Sequence, residues 1–491
     1  MKKCNRWIIL GLTAMMALPL YGCGAASEEK GDGEVITLRI LENDTAKEKG
    51  YLDELIRDFN EAYADKGIEA VDANMDEYSN LAENGPYGYG PDVLYQANDK
   101  LMTYAEDKHL LAVTPEDFEC YDKTSKEAWK AFELTVDGKV YTCGIPVNAQ
   151  EPMLFYREDL MPEGWEQEWD NNGNQVADFL ENWNDLYRFS KQLRDSDESA
   201  NKDSQYGYMS SMNNLYLNSN FLFSYGAYVF GEDAQGNLNT EDIGFAGGDS
   251  AQGISALMQF AELMNESCID DTIITNRYEK LAAGEYFCTV STPDTYAVFV
   301  DKLKLHYEKE GLSEQEALKK AQENIKMTEL PAKMPADGDL SRESSTMTEQ
   351  DWVDTVVMGG INGYGISAYT KHKEACMEFV NFATSYDMIC KRAQMLGIAP
   401  TRSDAAAQAG GTADVIFKSL EEKRITLMPS VKAVDQIWVP VQTLLGDFAK
   451  DAFRTEGEKK YTDEDDIRSA LEKADQDIYN AIYTLADKQE K

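Results

Sequence analysis

Alternation between strand and helix patterns is the feature that most constrains how this chain folds. Residues 34–41 (EVITLRIL) are rich in branched side chains, which predicts a β-strand. Apolar residues at helical spacing follow at Leu52, Leu55, Ile56, Phe59 and Tyr63. Two later stretches repeat this stripe, at Ile254, Leu257, Met258, Ala261 and Met264, and at Ile467, Leu471, Ala474, Ile478 and Ile482. Repeated β-α units predict open, mostly parallel sheets covered by helices, with ligand sites beyond the strand ends.

Length and charge set the class of protein. The 491 residues, 43% of them apolar, are enough for two substantial cores, so we expect two α/β lobes with a ligand between them. The formal net charge is −41, and nucleic acid or an anionic lipid surface would be repelled by such a field. We therefore expect no nucleic-acid partner.

The first residues predict export and lipid attachment. Lys2, Lys3 and Arg6 precede an apolar run over 7–20 that is too short to span a bilayer comfortably. Leu20-Tyr21-Gly22-Cys23 closes that run and resembles the bacterial lipobox. This predicts a signal peptide over 1–22, an acylated Cys23 as the only membrane anchor, and a flexible linker over 23–33. The alternative is an ordinary signal peptide with an incidental cysteine.

The remaining cysteines do not form a disulfide framework. Apart from Cys4 and Cys23, six cysteines are scattered without a Cys-x-x-Cys pair, at Cys120, Cys143, Cys268, Cys288, Cys376 and Cys390. A chain this large does not need covalent staples, so free buried thiols are expected. A Cys120–Cys143 bridge is the alternative.

An ordered set of short motifs carries a family resemblance. In chain order they are Gly90-Pro91-Asp92, Asp137-Gly138-Lys139, 153–160 (MLFYREDL), Ala283-Gly284-Glu285, Gly365-Ile366-Ser367, 397–402 (GIAPTR), and Met428-Pro429 ahead of Trp438. Each is weak alone, but the order resembles bacterial extracellular solute-binding proteins of ABC importers, most of all the maltodextrin-binding group. The resemblance implies an α/β, two-lobed, hinge-closing fold of the type II periplasmic-binding kind.

The same resemblance implies how the chain divides. The N-terminal lobe would comprise 34–148 plus 331–400, and the C-terminal lobe 149–330 plus 401–491, with 302–351 an inserted elaboration. That insertion begins with a Ser-Glu-Gln-Glu capping box at Ser313. The hinges would lie near 146–152, 328–332 and 401–404.

Sugar recognition needs aromatic platforms for apolar ring faces and polar side chains for the hydroxyl rim. Trp438 and Tyr216 match the family's stacking aromatics, although either could instead be a core residue. Asp99 falls where the family places a hydroxyl acceptor, and Asp44 follows the first strand; either could simply cap a helix.

This sequence departs from the maltose group at several site positions. Gln96 and Asp294 stand where that group carries tryptophans, with Tyr296 the nearest aromatic. Gln150, with Glu151 beside it, replaces a hinge-adjacent acid. The binding mode is therefore expected to be family-like, whereas the ligand could be a different oligosaccharide, a sugar acid only if basic groups lie in the site, or another polar solute.

A calcium loop is a second hypothesis. Oxygen ligands with EF-hand spacing are supplied by Asp170, Asn172, Asn174, Val176 (backbone carbonyl), Asp178 and Glu181. Gln175 occupies position six, where an EF-hand has glycine. An ordinary Asn/Gly turn is the alternative. No other cofactor is expected.

Enzyme signatures are missing from the sequence. The three histidines are isolated, and there is no Gly-x-Ser-x-Gly, Walker or Gly-x-Gly-x-x-Gly motif. We therefore expect a monomeric, non-enzymatic receptor on the outer face of the cytoplasmic membrane, which delivers an oligosaccharide, best a malto-oligosaccharide, to an ABC importer permease. The alternatives are a surface glycan-capture lipoprotein without a transporter and a lipid-anchored glycoside hydrolase.

Overall fold

The computed structural model of the protein describes residues 35–77, 79–136, 138–196, 206–234, 238–409, 411–422 and 424–489. The predicted signal peptide, Cys23 and the linker lie outside these residues. Within the described ranges, no helix combines the length and the apolar character needed to cross a membrane.

The strands run through the whole described chain. They are β1 Ile36–Leu41, β2 Ile68–Asp72, β3 Val93–Ala97, β4 Glu133–Val136, β5 Lys139–Thr142, β6 Ile145–Gln150, β7 Met153–Arg157, β8 Tyr206–Met209, β9 Tyr228–Glu232, β10 Leu238–Gly244, β11 Tyr286–Ser291, β12 Ile325–Thr328, β13 Lys333–Pro335, β14 Trp352–Asp354, β15 Val357–Ile366, β16 Ala399–Pro400 and β17 Ile425–Leu427.

The helices separate these strands. They are α1 Asp44–Glu48, α2 Tyr51–Tyr63, α3 Leu81–Asn84, α4 Asn98–Glu106, α5 Lys126–Lys130, α6 Trp165–Glu168, α7 Asp178–Glu181, α8 Trp183–Ser196, α9 Asn220–Phe223, α10 Ser250–Glu262, α11 Thr272–Ala283, α12 Tyr296–Lys309, α13 Glu314–Asn324, α14 Lys373–Ala383, α15 Tyr386–Leu396, α16 Ser403–Ala409, α17 Gly411–Glu421, α18 Trp438–Asp451 and α19 Glu464–Gln489.

A larger and a smaller sheet form the two lobes. The larger sheet has the order β16-β6-β15-β3-β1-β2, with β17 also paired to β15, and the smaller has the order β12-β7-β11-β8. The α/β class is as predicted, but the expectation of mostly parallel sheets is wrong. β15 runs antiparallel to both β3 and β6, and β7 runs antiparallel to β11 and β12. The chain enters β7 from the larger sheet and enters β15 from the separate β13-β14 sheet, so a right-handed β-α-β crossover does not set the direction of either strand.

Helical periodicity identified the main helices correctly. The predicted stripes fall on α2, α10 and α19, and Leu52, Leu55 and Phe59 of α2 are buried against the larger sheet. The capping box at Ser313 is confirmed, since its side chain accepts from the Glu316 backbone and Glu316 reaches back to Ser313. Just before α19, Asp466 Oδ2 accepts hydrogen bonds from the Thr462 backbone amide at 3.0 Å and from the Thr462 hydroxyl at 2.9 Å.

The cysteines of the described chain are free thiols. Cys120, Cys143, Cys288 and Cys376 are buried and Cys390 is half-buried, none of them in a disulfide. The expectation of free thiols is confirmed for these residues, and the alternative Cys120–Cys143 bridge is not formed. The side chain of Cys268 lies outside the description.

Candidate functional site

Strand register brings several predicted site residues to the junction of the two sheets. In the larger sheet, β15 pairs Asn362 with Ala97 of β3 and Gly360 with Gln150 of β6, so β3 and β6 end beside each other. Asp99 and Glu151 follow those ends directly. In the smaller sheet, Ser291 at the end of β11 pairs with Met153 at the start of β7. Asp294 therefore leaves the smaller sheet next to the point where the crossover enters it.

Glu151 lies in the two-residue crossover between β6 and β7. It is 5% exposed, and its Oε1 has no hydrogen-bond partner among the described residues. Burial raises the pKa of Glu151 to about 8; the charge of Glu329 adds to this effect, and the charge of Arg424 opposes it. An unpaired carboxyl group in this position can accept a hydrogen bond from a ligand.

Tyr216 carries a second unpaired group at the junction. Its hydroxyl is buried, and no other group in the described part of the chain hydrogen-bonds to it. Ser219 Oγ donates to the Tyr216 carbonyl at 2.9 Å and accepts from Met358 N of β15 at 2.8 Å, which fixes this segment against the larger sheet.

Three carboxyl groups act electrostatically on the Tyr216 hydroxyl. Burial raises the pKa of Tyr216 well above its ordinary value, and nearby negative charges raise it further. In decreasing order, these charges come from Glu151, Asp294 and Asp99. We refer to Asp99, Glu151 and Asp294 as the carboxylate cluster.

Asp294 contributes to the carboxylate cluster from the smaller sheet. It lies in the turn after β11, and its Oδ1 is buried without a hydrogen-bond partner in the ranges described above. The preceding residue, Pro293, approaches the larger lobe, because a Cβ placed on Gly397 would lie 3.8 Å from Pro293 O. Asp294 therefore lies where the two lobes meet.

Asp99 is positioned by its neighbour Asn98, the first residue of α4. Asn98 Oδ1 accepts from Ile361 N at 3.1 Å, and its Nδ2 donates to Met428 O at 3.1 Å and to Ser430 Oγ at 3.2 Å. These bonds fix α4 between β15 and the segment that leads to Trp438. Burial raises the pKa of Asp99, and the charge of Asp435 adds to it.

Asp44 and Gln96 form a separate group through Glu77, which the sequence reasoning missed. Glu77 Oε2 accepts from Asp44 N at 2.6 Å, and the Glu77 carbonyl accepts from Gln96 Nε2. The Asp44 side chain is exposed and lies 3.9 Å from Lys47 Nζ. Both residues lie on the wall of the larger lobe.

Trp438 and Tyr296, two of the aromatic residues predicted to stack on a sugar ring, belong to the predicted C-terminal lobe. Trp438 is the first residue of α18 and packs half-buried against the main core, whereas its neighbour Val439 is exposed. Tyr296 is half-buried and lines a cavity of about 360 Å³ with Met327 and Ile398, between the smaller sheet and α15. Gln150 is half-buried at the end of β6.

Two further charged residues lie beside Glu151. Arg424 Nη2 contacts Glu329 Oε1 at 2.9 Å, and Ser419 Oγ donates to the same oxygen at 2.8 Å. Glu329 falls within the predicted 328–332 hinge. Nothing in the sequence around Glu329 predicts its hydrogen bond with Ser419, which lies 90 positions later.

The Asp170–Glu181 loop has part of the geometry that a calcium loop requires. Asp170 accepts from the backbone of Asn174 at 3.0 Å and of Gln175 at 3.2 Å, and Glu181 accepts from the amides of Asn172 and Asn174. Gln175 adopts φ +67°, the left-handed conformation that glycine takes at this position. Asp178 instead accepts from Asn171, and no group of three His, Cys, Asp or Glu side chains suited to a metal occurs in the described chain. The calcium site remains a prediction.

Comparison with known proteins assigns the fold. The chain resembles MalX from Streptococcus pneumoniae in complex with maltopentaose, with a TM-score of 0.65, 18% identity, and coverage of 91% of this chain and all of that one. It also resembles a cyclo/maltodextrin-binding protein complexed with maltotetraose, with a TM-score of 0.64, 19% identity, and coverage of 93% and 99%. The two-lobed, type II periplasmic-binding fold is confirmed.

Sequence relatives cover nearly the whole chain. A galactooligosaccharide-binding protein of Bacillus subtilis (strain 168) is 23% identical over 457 residues, which are 90% of this chain and 91% of that protein. A maltooligosaccharide ABC transporter solute-binding lipoprotein of Streptococcus pneumoniae (strain ATCC BAA-255 / R6) is 22% identical over 447 residues, or 89% and 91%.

A family model settles the class of protein. It is described as bacterial extracellular solute-binding protein, and it matches residues 54–419, most of the chain. Its members are solute-binding proteins and not enzymes, which agrees with the absence of catalytic motifs. The chain with the carboxylate cluster at the junction of its two lobes thus belongs to the bacterial extracellular solute-binding proteins.

Proposed function

We propose that the protein captures a neutral oligosaccharide, best a malto-oligosaccharide, between its two lobes and delivers it to the permease of an ABC importer. The observation that carries this proposal is the set of buried, unpaired polar atoms at the junction: Glu151 Oε1, Tyr216 OH and Asp294 Oδ1. A ligand with many hydroxyls supplies both donors and acceptors to such atoms. The sugars named for the solved structures and sequence relatives support this ligand class.

Closure over the ligand follows from where these atoms lie. Asp99 comes from the larger lobe, Asp294 from the smaller, and Glu151 from the crossover between them. A ligand that bonds to all three favours the closed arrangement, because separating the lobes breaks part of its contacts. Lys49 of α1 and Asp301 of α12, 3.0 Å apart, form an ion pair between the lobes in this arrangement.

Thermal unfolding with a panel of malto-, isomalto-, galacto- and manno-oligosaccharides tests the proposal. A saccharide that binds the native state raises the free energy of unfolding by about 2.7 kcal/mol at a hundred times its Kd, so at least one should raise the Tm clearly. If none shifts the Tm and none binds by calorimetry, the proposal is wrong. Hydrolysis of a bound saccharide would contradict the receptor function.

The variant Tyr216→Phe examines the site itself. The Tyr216 hydroxyl has no protein partner in the described structure, so its removal should leave the ligand-free Tm unchanged or slightly higher. Loss of its hydrogen bond to the saccharide should weaken binding by about 0.5–1.5 kcal/mol. Tyr87→Phe, on a side chain that is 77% exposed, is the matched control. Equal affinity in both variants would remove Tyr216 from the site.

The proposed anchor is Cys23, with the protein held outside the cell by its lipid. Extracellular action is a property of the family, and the relative from S. pneumoniae is named a lipoprotein. Cys23→Ala should release the protein into the medium. Membrane fractionation identical to that of the wild type would refute the anchor.

A further inference from the structure

The junction between the lobes combines several acidic groups with few available cations. Two further acids lie near the carboxylate cluster. The negative charge of Asp435 raises the pKa of Asp99, and that of Glu329 raises the pKa of Glu151. Each member of the cluster comes from a different segment: the start of α4, the β6–β7 crossover, and the turn after β11. Their convergence is therefore a property of the folded chain and not of one acidic stretch of sequence.

Among the described residues, Arg424 and Lys100 are the cations whose charges act on Glu151 and Asp99, and both contact other groups. Arg424 contacts Glu329 at 2.9 Å and Glu422 at 3.1 Å; its charge also acts on Glu151, but it makes no ion pair with a member of the cluster. Lys100 lies with its Nζ 5.1 Å from the centre of the Tyr104 ring. Neither arrangement leaves a cation directed at the unpaired Asp294 Oδ1 or Glu151 Oε1, both of which lack a hydrogen-bond partner in the described chain.

Glu151 keeps its proton up to about pH 8, so Asp99 and Asp294 are the members of the cluster whose negative charge restricts the charge of the ligand at neutral pH. Negative charges brought close together in a partly desolvated site repel each other strongly, because little water remains to screen them. Hydroxyl or amine donors stabilise the same carboxylates by hydrogen bonding. At separations of several ångströms the penalty for a second negative charge corresponds to tenfold or more in affinity.

We infer that the site selects its saccharide by charge, rejecting sugars that carry a carboxylate, and that Asp294 is a specificity-determining residue for this selection. The inference rests on the proposed function. Asp294 is suited to the role because its unpaired oxygen lies at the lobe interface, whereas an aromatic residue at the same position would offer a stacking face to charged and neutral sugars alike.

Two matched sets of ligands test this inference. Maltotriose and β-galactotriose are compared with their derivatives that carry a carboxylate, or an amine, in place of one primary hydroxyl group. For the better-bound parent, we expect wild-type protein to bind the carboxylate derivative at least about tenfold more weakly, and the amine derivative no more weakly than the neutral sugar.

The variant Asp294→Asn should bring the neutral and carboxylate affinities closer by about threefold or more, because it keeps the side-chain shape and removes the charge. Asp53→Asn, on an exposed residue of α2 outside the cluster, is the matched control and should leave the ratio unchanged. If Asp294→Asn does not fold, the same ratio of neutral to carboxylate affinity is measured in Asp99→Asn.

The outcomes separate the two proposals. Equal binding of neutral and carboxylate sugars by the wild type overturns the charge selection and leaves the receptor function intact. If the ratio of neutral to carboxylate affinity is unchanged in both Asp294→Asn and Asp99→Asn, the carboxylate cluster does not cause the charge selection. Failure of every neutral and derivatised sugar to bind overturns the proposed function together with the inference.

Discussion

Glu151→Gln should stabilise the ligand-free protein at alkaline pH and leave it unchanged at acid pH. The Glu151 side chain is 5% exposed, and its pKa is raised from 4.5 to about 8, mainly by burial and then by the charge of Glu329, against the opposing charge of Arg424. The folded protein therefore holds this proton over a pH range in which the unfolded chain has lost it.

The sign follows from that difference in proton binding. Below pH 4.5 the carboxyl group is neutral in both states, so the wild type loses no stability through it. As the pH rises towards 8, the unfolded state ionises alone and the free energy of unfolding falls. Above about pH 8 the folded state carries the full cost, which the gap between 4.5 and about 8 limits to about 5 kcal/mol.

The assay is thermal unfolding of wild type and Glu151→Gln between pH 5 and 9 without saccharide. Glutamine keeps the shape and cannot ionise, so its Tm should exceed that of the wild type by only about 1 °C at pH 5 and by roughly 5 °C at pH 9. Glu166→Gln, on an exposed residue of α6, is the matched control and should follow the wild type throughout. A Glu151→Gln curve that also parallels the wild type at every pH would refute the argument that Glu151 is buried and unpaired.

Three further predictions concern the platform, the closed state and the loop. Trp438→Ala should weaken saccharide binding by about 1–3 kcal/mol with little change in the ligand-free Tm, whereas a Tm loss equivalent to about 3–5 kcal/mol would make Trp438 a core residue. Lys49→Ala should weaken binding by about 0.2–1 kcal/mol at low ionic strength and not at about 1 M salt; a salt-independent loss in calorimetry would contradict a closing ion pair. Calcium at about 1 mM should raise the Tm of the wild type and not of Asp170→Asn, and identical curves would exclude the calcium loop.

Helices were predictable because their signal is local. The apolar stripe of α2 spans 13 residues, and the same residues that form the pattern form the buried face. The capping box at Ser313 involves side chains only three positions apart. Strand direction was not predictable in this way, because β15 acquires its neighbours β3 and β6 only after the chain has passed through the smaller sheet.

The candidate site was predictable where family motifs marked it and not where distant residues meet. Asp99, Glu151, Tyr216 and Asp294 were named from their positions beside such motifs, and the structure brings them together. Glu77 was missed because its bond to Asp44 joins residues 33 positions apart, and the sequence around Glu77 resembles an ordinary solvated loop. Arg424 was missed for the same reason, since its partner Glu329 lies in another segment.

Chain connectivity holds Glu151, in the β6–β7 crossover, at the junction of the two sheets. Only Glu151 and Pro152 separate Gln150 of the larger sheet from Met153 of the smaller one, and each residue extends at most about 3.6 Å. The two sheet edges therefore stay close together at this point whatever the lobes do elsewhere. Proline also restricts the backbone of the residue before it, which limits how far Glu151 can turn towards solvent. A carboxyl group held there is adjacent to the predicted hinge, so we expect Glu151 to couple saccharide binding to lobe closure.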